Sequence, residues 1–127
     1  MTNEEKLQLA KKFLSVLSAP DADVVKSVAV DDVLWTFPGS AIISGEAHGV
    51  DGVMKRAKTI ASYAVKVEIV RPVYGHSGVA VLLHNTGAKN DRTLDEHLAA
   101  VFSFRGNKIS RLDTFLSDVP MVKAFFG

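Results

Sequence analysis

The chain shifts from a mainly helical to a strand-like hydrophobic period, and that shift limits what it can fold into. In the helical stretches up to about residue 62, apolar side chains recur every three or four positions. From Tyr63 to Leu116 they alternate with polar ones. The first spacing makes a helix face, the second a strand with one buried side. Leu7, Ala10, Phe13, Leu14 and Leu17 form the first stripe, capped by Thr2 or Asn3 and broken at Ser18-Ala19-Pro20-Asp21. A short helix is predicted near Ala22–Val28. Val33–Phe37 reads as a strand, Ile42–Gly45 as a brief edge strand, and Val50–Ser62 as a third helix. Four strands follow, at Tyr63–Tyr74, Val79–Thr86, Leu94–Phe104 and Ile109–Leu116. Gly87 to Arg92 reads as a polar loop, and Gly106-Asn107 as a tight turn between the last two strands. Ser117 or Asp118 caps a final helical turn containing Phe125 and Phe126. Helices first and antiparallel strands after is an α+β layout. A strongly curved sheet around one long helix would leave an open cone, a natural ligand site.

Composition narrows the chemistry. The 127 residues suit one domain, without repeat or linker. Cysteine is absent, which excludes disulfides, thiolate zinc sites and a cysteine nucleophile. Fifteen basic and fourteen acidic residues leave a net charge of +1, against a nucleic-acid binder built on clustered basic charge. No apolar run approaches the ~20 residues needed to span a bilayer. Met1 to Lys6 is polar and lacks a signal-peptide core, so the expected location is cytoplasmic, without membrane or nucleic-acid partners. No phosphate-loop motif occurs. The histidines at 48, 76, 84 and 97 show no paired spacing within one element, so no metal and no cofactor is expected. Lys55, Arg56 and Lys58 read as a solvated basic patch.

Certain stretches carry a family likeness. They are Trp35-Thr36-Phe37-Pro38-Gly39-Ser40, then Ser44-Gly45 with Gly49, and Asn107-Lys108-Ile109 followed by Phe115 and Asp118. They resemble the nuclear-transport-factor-2-like superfamily, and within it the SnoaL-like and ketosteroid-isomerase-like group. The likeness covers nearly the whole chain, residues 1–127, as one domain. It implies a cone-shaped α+β barrel, a curved, mixed, mostly antiparallel sheet wrapped around a long N-terminal helix. It also implies a homodimer through the outer sheet face, where Val101 or Phe115 would pack. The superfamily holds isomerases, epoxide hydrolases, cyclases and non-enzymatic modules, so fold alone does not choose among them.

The resemblance can be tested at single positions. Where ketosteroid isomerases keep a base, a tyrosine and a protonated carboxyl, this chain has Phe37, Phe13 and Ala100. None can abstract or donate a proton, which argues against that mechanism. The SnoaL-like last-strand aspartate falls at Thr114, next to Asp113, and its histidine partner at Ala100, with the nearest histidine at His97. The Arg–Asp pattern of the epoxide hydrolases is not reproduced by Arg92 and Asp95.

Register decides among these. A plain two-residue turn at Gly106-Asn107 puts Asp113 opposite Ala100, while a bulge puts Thr114 there. If Asp113 points inward, its pKa should rise and it becomes the candidate acid or base, assisted by His97 or His84. If outward, it pairs with Arg111 or a neighbouring chain. Trp35, Phe37, Phe13, Met54, Ala100, Phe102 and Thr114 are the candidate pocket wall, or else a filled core. The expected function is a pocket for a small, largely apolar molecule. That pocket belongs to a cofactor-independent SnoaL-like cyclase, isomerase or hydrolase, or to a non-catalytic binding or dimerisation module.

Overall fold

In the computed structural model, which describes residues 1–127, Thr2 starts helix α1 (Asn3–Ser15). Its hydroxyl accepts from the Glu5 amide at 3.1 Å, and the Thr2 amide donates to the Glu5 carboxylate at 3.0 Å. This capping box satisfies two end groups at once. Asp21 caps α2 (Ala22–Val28) through the Asp23 amide. Then come β1 (Ala29–Phe37), β2 (Gly45–His48), α3 (Gly49–Ser62), β3 (Lys66–Tyr74), β4 (Gly78–Lys89), β5 (Arg92–Arg105), β6 (Lys108–Leu116) and α4 (Val119–Phe126). The six strands form one curved sheet in the order β2-β1-β6-β5-β4-β3. The β1–β6 pair is parallel and all others are antiparallel. The architecture is the expected α+β cone. No helix is long and apolar enough to cross a membrane.

The concave face is covered by α1, α3 and α4. Phe13 of α1 is fully buried and meets Trp35 and Phe102 edge-on, at 5.9 and 5.8 Å between ring centroids. Such geometry sets the positive ring edge against the negative face. Lys6 is buried as well. Its ammonium donates to the carbonyls of Gly75 (2.9 Å) and His76 (3.3 Å), tying α1 to the β3–β4 turn. Helix α4 is held at its far end by the Tyr63 hydroxyl, which donates to the Phe126 carbonyl at 2.9 Å.

Three local expectations are corrected. The edge strand is not Ile42–Gly45 but Gly45–His48, because Ile42 and Ile43 turn the chain instead. Gly87 to Arg92 is not a loop. Strands β4 and β5 stay paired to Lys89↔Arg92, and only Asn90 (φ 51°) and Asp91 (φ 65°) turn. Asn and Asp tolerate this left-handed conformation, which suits a two-residue hairpin turn. Arg56 is not on a solvated face. It is 6% exposed, with its guanidinium donating to the carbonyls of Trp35 (2.7 Å) and Gly45 (2.8 Å) and lying 4.9 Å from the Trp35 ring. Burial pulls its pKa down to about 10.

The register of β6, open between two alternatives in the sequence, is the bulged one. Arg105 does pair with Lys108 across the two-residue turn. The register then slips: Phe104 faces Ile109 but Ser103 faces Arg111, so Ser110 is an extra, bulged residue. Beyond it Ala100 faces Thr114 and Val101 faces Asp113. One inserted residue thus exchanges the faces of everything downstream on β6. A second bulge, at Val70 in β3, lies between Ile69↔Leu83 and Arg71↔Leu82.

Candidate functional site

The inner sheet face and its covering helices enclose an apolar cavity of about 40 Å³, room for a few water molecules. Its wall comes from every layer: Leu14 of α1 and Leu17 just after it, Trp35 and Phe37 of β1, Ile60 of α3, and Val122 and Phe126 of α4. Strands β4, β5 and β6 add Leu83, Leu94, Leu98, Ala100, Leu112 and Leu116. Only Asn85, Glu96 and Thr114 bring polar side chains to it.

Each polar group sits there by strand parity. Asn85 follows Val79, Val81 and Leu83 on one side of β4. Glu96 lies between Leu94 and Leu98 on the matching side of β5, directly across from Asn85. Thr114 shares its side of β6 with Leu112 and Leu116 because of the bulge. The Thr114 hydroxyl accepts from the Trp35 indole at 2.9 Å, which satisfies the ring nitrogen in a buried setting.

Glu96 is 1% exposed. Its Oε1 accepts from the Ser117 amide (2.6 Å), the Ser117 hydroxyl (2.5 Å) and the Asp118 amide (3.3 Å). These bonds fasten the corner between β6 and α4, where Asp118 also caps α4 through the Met121 amide. Its Oε2 has no hydrogen-bond partner, and neither has the Asn85 Oδ1. Two buried acceptors thus lie unpaired on adjacent strands at an apolar cavity. Such atoms are few in folded proteins, and each asks for a reason.

The expected acid–base residues lie elsewhere. Asp113 is on the outer face, away from the cavity. It accepts from Arg111 Nε (2.8 Å) and the Thr36 hydroxyl (2.6 Å). Arg111 holds its carboxyl below the usual range, opposite to the rise expected for an inward Asp113. His97 and His84 are also on the outer face, as neighbours of the inward Glu96, Leu83 and Asn85 must be. They pair across β4 and β5 with rings stacked 4.2 Å apart. His84 Nε2 is 2.6 Å from Asp95 Oδ1 and holds that carboxyl below its usual range. Of the expected wall, Trp35, Phe37, Ala100 and Thr114 line the cavity, while Phe13, Met54 and Phe102 are buried behind it.

The sequence-based candidates omit Glu96 and Asn85, yet a signal for both was present. Leu94, Leu98, Ala100 and Phe102 fall on one parity, and Glu96 shares it. Val79, Val81 and Leu83 do the same for Asn85.

Comparison with known proteins agrees with the fold. A model of the SnoaL-like domain family matches residues 10–112, and the chain belongs to that family. Among solved structures it is similar to Bal32a, from a soil-derived mobile gene cassette (15% identity, 98% of each chain, TM-score 0.88). It is similar to an NTF2-like protein from Burkholderia xenovorans LB400 (20% identity, 100% of this chain and 99% of that one, TM-score 0.84). It also resembles SalBIII, an epoxide hydrolase/cyclase-like enzyme with a role in pyran ring formation in the polyether salinomycin (17% identity, 90% and 91%, TM-score 0.71). At these identities the likeness is one of fold. No curated protein matches the sequence.

Proposed function

We propose that this member of the SnoaL-like family takes a small, largely apolar molecule into the cone and acts on it by proton transfer through Glu96. One observation carries the reading: a buried carboxylate with one oxygen fixed by three donors and the other unpaired at an apolar cavity. The fixed oxygen sets the direction of the free one, which geometry requires of a general base or acid. Thr114 supplies the complementary group. Its lone pair is engaged by Trp35, which leaves its own O–H to donate toward a ligand oxygen as charge develops there. Asn85 Oδ1, facing Glu96 across the strands, favours a ligand with a hydrogen-bond donor. The proposed chemistry is cofactor-independent. Epoxide opening and ring closure, the reactions in SalBIII's description, are steps that one carboxylate and one hydroxyl can serve. A molecule of more than a few heavy atoms needs the cavity wall to give way. The narrowness of the cavity favours the second reading, a non-catalytic module. In either case two copies would pair through the outer sheet face, where Phe115 is 63% exposed.

Trp35, the single tryptophan, lines the cavity and reports its occupancy by fluorescence. Small epoxides, cyclic ketones and phenols would be screened this way, with conversion followed by mass spectrometry. Glu96→Gln should retain binding and lose turnover by about 100-fold or more. Undiminished conversion by Glu96→Gln would sink the assignment. Binding without conversion in the wild type would establish the non-catalytic module instead.

A further inference from the structure

We propose that His84, Asp95 and His97 form a binding site for a first-row divalent cation of the zinc type on the outer face of the sheet. The site is independent of the cavity. Pairing of β4 with β5 sets His84 opposite His97. Their rings are nearly parallel, 6° apart in plane and 4.2 Å between centroids. Asp95 precedes His97 by two residues and so shares its face. One ligand atom from each of the three lies within 4.8 Å of the others. Two imidazoles and one carboxylate are the donor set of an open zinc site, with a fourth position for water or an added ligand.

The packing supports the assignment. Both strands are locked on either side of the histidines, by Leu83↔Leu98 and Asn85↔Glu96, so the cluster rests on rigid backbone. A hydrogen bond between His84 and Asp95 accounts for two of the residues. It leaves His97 stacked on His84 with no side-chain hydrogen bond of its own. A cation bound by both rings and Asp95 gives all three a role, replacing the proton between His84 Nε2 and Asp95 Oδ1. Ligand atoms around tetrahedral zinc are about 3.3 Å apart, from bonds of about 2 Å. His84 and Asp95 are already closer than that, and the exposed His97 ring must turn out of its stack on His84 to join them, because parallel rings 4.2 Å apart cannot both hold one ion in their planes. Glu68, paired with His84 across β3, is the nearest acidic side chain by register on the same face. Spacing along the chain concealed the cluster, because its histidines belong to two strands.

The test uses tag-free, full-length protein titrated with Zn(II), followed by calorimetry and by long-range proton–nitrogen spectra of the four histidines. One zinc per chain at micromolar affinity is expected. The His84 and His97 ring signals should shift, while those of His48 and His76 stay. His84→Gln and His97→Gln should each weaken binding by at least about tenfold, and Asp95→Asn by less. The spectra of the wild type decide the matter even if a variant folds poorly. No binding at millimolar zinc, or binding that shifts His48 (beside Glu46) and survives the double glutamine variant, would overturn the proposal.

Discussion

The two faces of the sheet hold their acidic groups in opposite conditions. On the outer face Asp113 is held by Arg111 and Thr36, and Asp95 by His84. On the inner face Glu96 has one oxygen bonded three times and the other not at all. Glu96 and His97 are adjacent in the chain, as are Asp113 and Thr114, yet the members of each pair look into different worlds. Water can repair an imperfect partner outside. It has little access inside, where an unpaired acceptor keeps its full cost. Strand parity therefore does more than sort apolar from polar. It decides which carboxylate is paired at the surface and which is a candidate for proton transfer inside the cone.

The sharpest way to break this contrast is to insert one alanine between Arg111 and Leu112. With the bulge at Ser110 kept, Asp113 would turn toward the core and Leu112 and Thr114 away from it. The cost should exceed about 5 kcal/mol, enough to unfold a domain of ordinary stability. Near-ultraviolet circular dichroism and thermal melting should show loss of the cooperative transition. An insertion variant that still melts cooperatively would mean that the parity of β6 does not set the faces.

A smaller change probes the inner face alone. Thr114→Val keeps the shape but leaves the Trp35 indole N–H without its acceptor. Stability should fall by about 1–3 kcal/mol in urea unfolding, with an altered Trp35 emission. An unchanged midpoint would show that this bond is replaced at no cost.

The least effect is expected outside. Asp113→Asn should change stability by less than about 1 kcal/mol at neutral pH, because the Arg111 pair is partly exposed. Arg111, with Thr36, holds the folded pKa of Asp113 below the ordinary value of about 3.9. The contribution is therefore present above the unfolded pKa and lost as pH falls through the folded one. Melting curves of wild type and variant should converge in acid. A difference that widens in acid would contradict the pairing.

Most of the fold could be read from the residues, for physical reasons. Leu7, Phe13 and Leu14 can share one surface only on a helix, and the alternation through Val79, Val81 and Leu83 suits only a strand. Gly106-Asn107 announced its turn. The bulge at Ser110 had no such marker, since any small residue can be the extra one, and the placement of Asp113 depended on it. Glu96 was readable by parity with Leu94 and Leu98. The stacking of His84 on His97 was not, because it needs the cross-strand register that only the assembled hairpin fixes.

The strand that carries Thr114 also has consequences for how the protein comes into being. β6 lies between β1 and β5, so the middle of the sheet is supplied by the last of its six strands to be made. Thr36 and Asp113, which touch across the parallel pair, are 77 positions apart. Closing so long a loop costs entropy before any contact rewards it, and such non-local pairing slows folding. During synthesis β1 must wait, with Trp35 and Phe37 lacking their neighbouring strand, until Lys108–Leu116 has left the ribosome. A chain cut before Lys108 would lack not an edge but the keystone, and its two halves would have no sheet in common.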